Sequence, residues 1–124
     1  MTKNFSKKEF ECKCGCEMPD EVLHNVVKLA TQLQRLREHV NKPIKINSSF
    51  RCEAHNRKVG GSLNSQHKLG KAADIVIKDM KPYEVFILIE DLIDAGELLQ
   101  GGVGNYSSFT HYDIRKHKAR WNYA

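Results

Sequence analysis

Apolar residues at Val22, Val26, Leu29, Leu33, Leu36 and Val40 recur at steps of three and four, the spacing of one face of a helix. Pro19-Asp20-Glu21 supplies the start, with proline in the first turn and acids at the positive end of the helix dipole. Asn41-Lys42-Pro43 ends it. The period then changes. Ile44-Lys45-Ile46-Asn47 alternates apolar and polar positions, which predicts a half-buried strand that delivers Ser48 to Arg51 to its end. Ala72 to Ile77 predicts a second strand, closed by the buried run Ile75-Val76-Ile77. Lys81-Pro82-Tyr83 opens a second helix with Val85, Ile89, Leu92 and Ile93 as its apolar face, ending near Ala95-Gly96. Gly101-Gly102-Val103-Gly104 reads as a turn and short strand, and Phe109 to Ile114 as the last strand. Before all of these, Ser6 stands three residues ahead of Glu9, the capping-box spacing, on a short turn from Phe5 to Phe10. Gly60 to Ser65 predicts a flexible loop.

Strands and helices mix here without a regular βαβ repeat. The fold class that follows is α+β, with a small, mainly antiparallel sheet flanked by helices. At 124 residues, the chain reads as one domain, 1–124, with one modest core. A content of 40% hydrophobic and 28% charged residues is that of a globular protein rather than a disordered one. No apolar run approaches the roughly 18 residues of a membrane span, so no membrane partner is expected. The opening Met1 to Lys8 lacks the apolar core of a secretory signal. The net charge of +5 favours anionic surfaces, but the basic residues are scattered and show no nucleic-acid motif. No heptad pattern is seen, which favours a monomer.

The chemistry concentrates in Ser65-Gln66-His67-Lys68-Leu69-Gly70-Lys71-Ala72-Ala73-Asp74 and the later His111-Tyr112-Asp113. Two histidines and a carboxylate are the ligand types of an open zinc site, in which the fourth position is left to water. Asp74 opens an otherwise apolar strand, where an unpaired carboxylate is costly to bury. His111 and Asp113, two apart on a strand, share a face. Asp113 can therefore be a general base or an acceptor that orients a ligand histidine. The other histidines, His24, His39, His55 and His117, lie in helix or polar loop and read as structural or solvated.

The pattern Ser65-x-His67-x-x-Gly70-x-Ala72-x-Asp74, with Ser48-Ser49-Phe50-Arg51 before it and His111-x-Asp113 after, resembles the M15-type zinc D-Ala-D-Ala peptidases. That family includes D,D-carboxypeptidases, murein endopeptidases and phage endolysins, and the resemblance runs from about Phe5 to Trp121. It implies a compact fold of the hedgehog/DD-peptidase kind and hydrolysis of peptide bonds in bacterial peptidoglycan. It implies His67, Asp74 and His111 as zinc ligands and Arg51 as the substrate-facing arginine, placing a carboxylate or steadying an oxyanion. Ser65 and Gln66 would bind substrate or brace His67. Several branches carry a catalytic acid three positions before the last zinc histidine, where this chain has Ser108, so Asp113 is the first choice of base. With no signal segment, the wall would be reached after release, as in a phage or prophage lysis system or a virion. The rival reading is a zinc-bearing wall-binding module of the same fold without catalysis.

Cys12-Lys13-Cys14-Gly15-Cys16 and the distant Cys52 leave three readings open: a structural zinc, one or two disulfides, or buried thiols. Clustering favours a staple between the N-terminal segment and the strand end that carries Arg51. Trp121 and Tyr106 read as core aromatics or as walls of the cleft.

Overall fold

The structure is a computed structural model and describes residues 1–124. Its longest helix, α1 (Asp20–Val40), has the ends that the sequence prescribes: Asp20 and Glu21 in the first turn, Arg37 and His39 in the last. Asn41 closes it in the left-handed conformation at φ 52°, its N–H returning to the Arg37 carbonyl. Val22, Val26, Leu29, Leu33 and Leu36 are buried. Burying each such side chain stabilises the fold by roughly 1.5–3 kcal/mol, far more than helix propensity provides. Val40 is only half-buried. The short turn at Lys7–Phe10 is a 3-10 helix, and Glu9 accepts the Ser6 backbone N–H at 2.9 Å.

Five strands follow: β1 (Ile44–Ser48), β2 (Ala72–Ile77), β3 (Gly102–Asn105), β4 (Thr110–Asp113) and β5 (Ala119–Asn122). They lie in the order β1-β2-β4-β3-β5. All neighbours are antiparallel except β3 and β5, so the fold is α+β with a mainly antiparallel sheet. Helix α3 (Pro82–Asp94) packs on β2, β3 and β4. Its buried Val85, Ile89, Leu92 and Ile93 join the α1 face and Ile44, Ile46, Ala73, Ile75, Ile77, Val103 and Tyr112 of the sheet in one core cluster.

Two elements differ from expectation. Phe109 to Ile114 is not the last strand, because β5 adds to the sheet beyond it. His55 lies in a six-residue helix, α2 (Glu53–Lys58), rather than a loop. A second 3-10 turn spans Gln66–Leu69, and Gly70 ends it at φ 74°. No helix is long and apolar enough to cross a membrane.

The sheet register positions the chemistry. Ser48 pairs with Asp74, Asp74 with His111, His111 with Gly104, and Gly104 with Trp121. One row thus crosses all five strands, on the face turned away from the core.

Candidate metal centre

Each ligand type is placed by a different local device. Asp74 sits mid-strand in β2 and is fixed by the ladder on both sides. His111 is its cross-strand neighbour on β4. His67 enters from the 3-10 turn, whose Ser65 hydroxyl accepts the His67 backbone N–H at 3.2 Å. All three are buried. His67 Nε2 lies 3.3 Å from Asp74 Oδ1, and His111 Nδ1 lies 3.1 Å from the same oxygen.

The other ring nitrogens are occupied. His67 Nδ1 donates to the Ser49 carbonyl at 2.7 Å, and Ser49 is itself held by its hydroxyl donating to the Ala72 carbonyl at 2.8 Å. His111 Nε2 donates to Asp113 Oδ2 at 2.7 Å. Both tautomers are thereby set, and each imidazole offers its remaining lone pair to one point. Asp74 is divided likewise: Oδ1 faces that point, and Oδ2 accepts from Arg51 Nη2 at 3.4 Å.

Three acceptors aimed at one another are repulsive unless a positive charge lies between them. Without a metal, protons would have to supply that charge: burial pushes the Asp74 carboxyl up, but the hydrogen bonds that His111 and His67 would then donate outweigh it and hold Asp74 far below the usual carboxylate range. Burial pushes His111 down, yet its bonds to Asp113 and Asp74 carry it above the usual imidazole value. The trio therefore calls for a cation, and it could hold one metal ion. Bonds of about 2.0–2.2 Å to a tetrahedral zinc would put ligand atoms about 3.3–3.6 Å apart, close to the separations present here.

Above the trio opens a cleft of about 540 Å³. Arg51, Ser65 and Gln66 line it with His67, Asp74 and His111, so six of the residues singled out from the sequence meet there. Arg51 is braced by Ser48 Oγ at 3.3 Å and by Asn56 Oδ1 at 3.4 Å, and Asn56 is buried on α2. Gly61 lies so close that a Cβ would collide with the Asn56 side chain and crowd Arg51. Gln66 Oε1 is buried without a hydrogen-bond partner. Ser108 is exposed and does not line the cleft.

Asp113 stands apart from the cleft. It is fully buried, and its two oxygens accept from Gly102 N, Arg115 N, Arg115 Nε, Arg115 Nη2 and His111 Nε2. Arg115 links it to the far wall, where the guanidinium lies 5.4 Å from the centre of the Trp121 ring. Trp121 folds over Gly104, which has no side chain to block it, and approaches His111 at 4.9 Å between ring centres. Trp121 Nε1 donates to the Tyr106 hydroxyl at 2.8 Å, and Tyr106 stacks on Phe109 at 4.3 Å. Trp121 and Tyr106 are thus cleft walls. Sequence reasoning passed over Asn56 and Arg115. Arg115 continues the alternation of His111 and Asp113, and that was its available signal.

The sequence model described as Peptidase M15 matches residues 3–113. The chain belongs to the peptidase M15 family. The match takes in all three candidate ligands, the Arg51 segment and the cysteine cluster, and it makes this a peptidase domain. A search of curated proteins returned no match. Within this M15 domain His24, His39 and His117 are exposed and none of them lines the cleft.

Proposed function

We propose that this M15 domain is a zinc peptidase that hydrolyses peptide bonds in the stem peptides or crosslinks of bacterial peptidoglycan. The observation that carries the reading is the convergence of His67 Nε2, Asp74 Oδ1 and His111 Nδ1, at 3.1–3.3 Å, under an open cleft. A zinc ion held by these three would supply an activated water at neutral pH and polarise the scissile carbonyl.

The chain's own residues supply the rest. Arg51 presents a rigid fork beside Asp74, suited to a substrate carboxylate or a developing oxyanion. Asp74 is the one carboxylate among the cleft-lining residues, and Arg51 and Arg115 leave the cleft positive, which favours peptides rich in carboxylates. Gln66 lines the cleft with its Oε1 buried and unpartnered, so a turn of the side chain would bring an unclaimed acceptor to a peptide N–H. The Tyr106 hydroxyl accepts from Trp121 and keeps its own proton for a substrate oxygen. Asp113 takes the second of its two sequence readings. With five donors and no exposure, it orients His111 and fixes its tautomer rather than carrying a proton from water.

One observation favours a second reading: no side chain of the cleft other than the three ligands is a ready base. A zinc-bearing wall-binding module without cleavage fits that. Purified peptidoglycan incubated with the protein, with and without chelator, and read by mass spectrometry, separates the two. Chelator-sensitive release of defined peptides supports the peptidase and names the bond. Zinc bound one per trio with no released peptide establishes the binding module instead.

A further inference from the structure

A second group of ligands lies outside the cleft. The Sγ atoms of Cys12, Cys14, Cys16 and Cys52 all lie within 4.8 Å of one another. Cys12 and Cys14 are 3.2 Å apart, Cys14 and Cys52 3.4 Å, and Cys12 and Cys52 3.9 Å. None is joined in a disulfide. Zinc–sulfur bonds of about 2.3 Å in a tetrahedron put sulfurs about 3.8 Å apart, within the span of these separations.

The chain is shaped to bring the thiols together. Gly15 N–H bonds the Cys12 carbonyl at 3.1 Å, and Gly15 itself stands at φ 83°, a left-handed conformation that turns Cys16 back toward Cys12 and Cys14. A Cβ on Gly15 would meet nothing, so backbone angle rather than space asks for glycine. The Cys52 N–H points at Cys12 Sγ from 3.5 Å, the backbone-to-sulfur contact that a thiolate ligand accepts.

The rival readings fit less well. Buried thiols do not account for Cys14, which is exposed. Two disulfides would need one bond between members of Cys12, Cys14 and Cys16, two or four residues apart, which is unfavourable geometry. One disulfide leaves two thiols in the group without a role. A single metal uses all four.

We propose that Cys12, Cys14, Cys16 and Cys52 form a closed tetrathiolate zinc site that fastens the N-terminal segment to the strand exit carrying Arg51. Four consecutive residues show what is fastened. The Ser49 carbonyl holds His67, Phe50 N–H bonds the Phe10 carbonyl at 3.0 Å, Arg51 N–H bonds the His67 carbonyl at 3.1 Å, and Cys52 enters the tetrad. The segment is stitched alternately to the metal trio and to the N-terminal turn. With all four positions filled, this second site has none for water, and its role is structural.

The proposal stands independently of the peptidase reading, because the His67 trio contains no sulfur. Metal-free, reduced, full-length protein is titrated with cobalt(II). A sulfur-to-cobalt charge-transfer band saturating at one thiolate-bound cobalt per chain is the expected result, with zinc displacing it. Zinc should shield all four thiols from a thiol reagent, and a chelator should expose them. Cys14→Ser, at an exposed position, should shift the band and let the thiols react. Absence of the band in the wild-type chain, thiols equally reactive with and without zinc, or a disulfide in the freshly isolated chain would overturn it.

Discussion

Two clusters of ligand side chains, linked through the segment from Ser49 to Cys52, are built in opposite ways in this chain. The His67, Asp74 and His111 trio rests on the sheet, and every ligand is held from behind by Ser49, Arg51 or Asp113. It offers three donors and faces a cleft. The cysteine tetrad draws its members from a loop and a strand exit, offers four donors and faces no part of that cleft. Three donors with a rigid backing leave a coordination position for chemistry, whereas four donors close the ion and leave only a crosslink. The difference is one of topology. A β-ladder can hold side chains in register before any metal arrives, but a glycine turn gathers thiols that a metal must then keep together.

Breaking the trio should have the largest effect. His67→Ala or His111→Ala should lower peptide release from peptidoglycan by roughly three decades or more, given the several kcal/mol a catalytic metal contributes. The same variants should keep the cobalt–thiolate band. Activity surviving in a variant without trio metal would refute the assignment. Breaking the tetrad should instead appear in stability. Cys14→Ser with Cys52→Ser should cost about 3 kcal/mol and lower Tm by about 10 °C, while trio metal is retained. An unchanged melting curve would remove the tetrad's structural role.

Finer changes sharpen the contrast. Asp113→Asn removes the carboxylate behind His111, and metal affinity at the trio should fall by about 10–100-fold, measured by competition with a chromophoric chelator. If turnover of the fully metal-loaded variant collapses while affinity is unchanged, Asp113 carries a proton after all. Arg51→Lys loses the fork that spans Ser48, Asn56 and Asp74. It should lower kcat/KM by roughly tenfold, about 1.4 kcal/mol, without changing the zinc content. Wild-type kcat/KM there would leave the arginine a purely structural bond.

Helices α1 and α3 were legible because their apolar spacing is a local signal, and β1 and β2 because alternation or a buried run marked them. Strand β5 was missed. Ala119-Arg120-Trp121-Asn122 does alternate, but over too few residues to stand out, and its parallel pairing to β3 has no hairpin turn to announce it. The α2 helix, Glu-Ala-His-Asn-Arg-Lys, has no apolar stripe, so nothing local announced it or the buried Asn56 that braces Arg51. At the site, the spacing of His67, Asp74 and His111 picked out side chains that the fold brings together. The sequence could put Asp113 on the His111 face, but not show that Gly102 and Arg115 saturate it, since Gly102 arrives from a neighbouring strand. For the cysteines, clustering favoured a staple over buried thiols but left the choice between zinc and disulfide open. Only the return of the chain at Cys52 brings the fourth sulfur into the group.

Crystals of the wild-type protein grown with zinc, measured by anomalous diffraction at the zinc edge, would locate both ions at once. One peak is expected at bonding distance from His67 Nε2, Asp74 Oδ1 and His111 Nδ1, with a fourth position toward the cleft. A second peak is expected inside the sulfur tetrad with no such opening. No peak at the trio, with the histidines instead bonded to Asp74 through protons, would contradict the account.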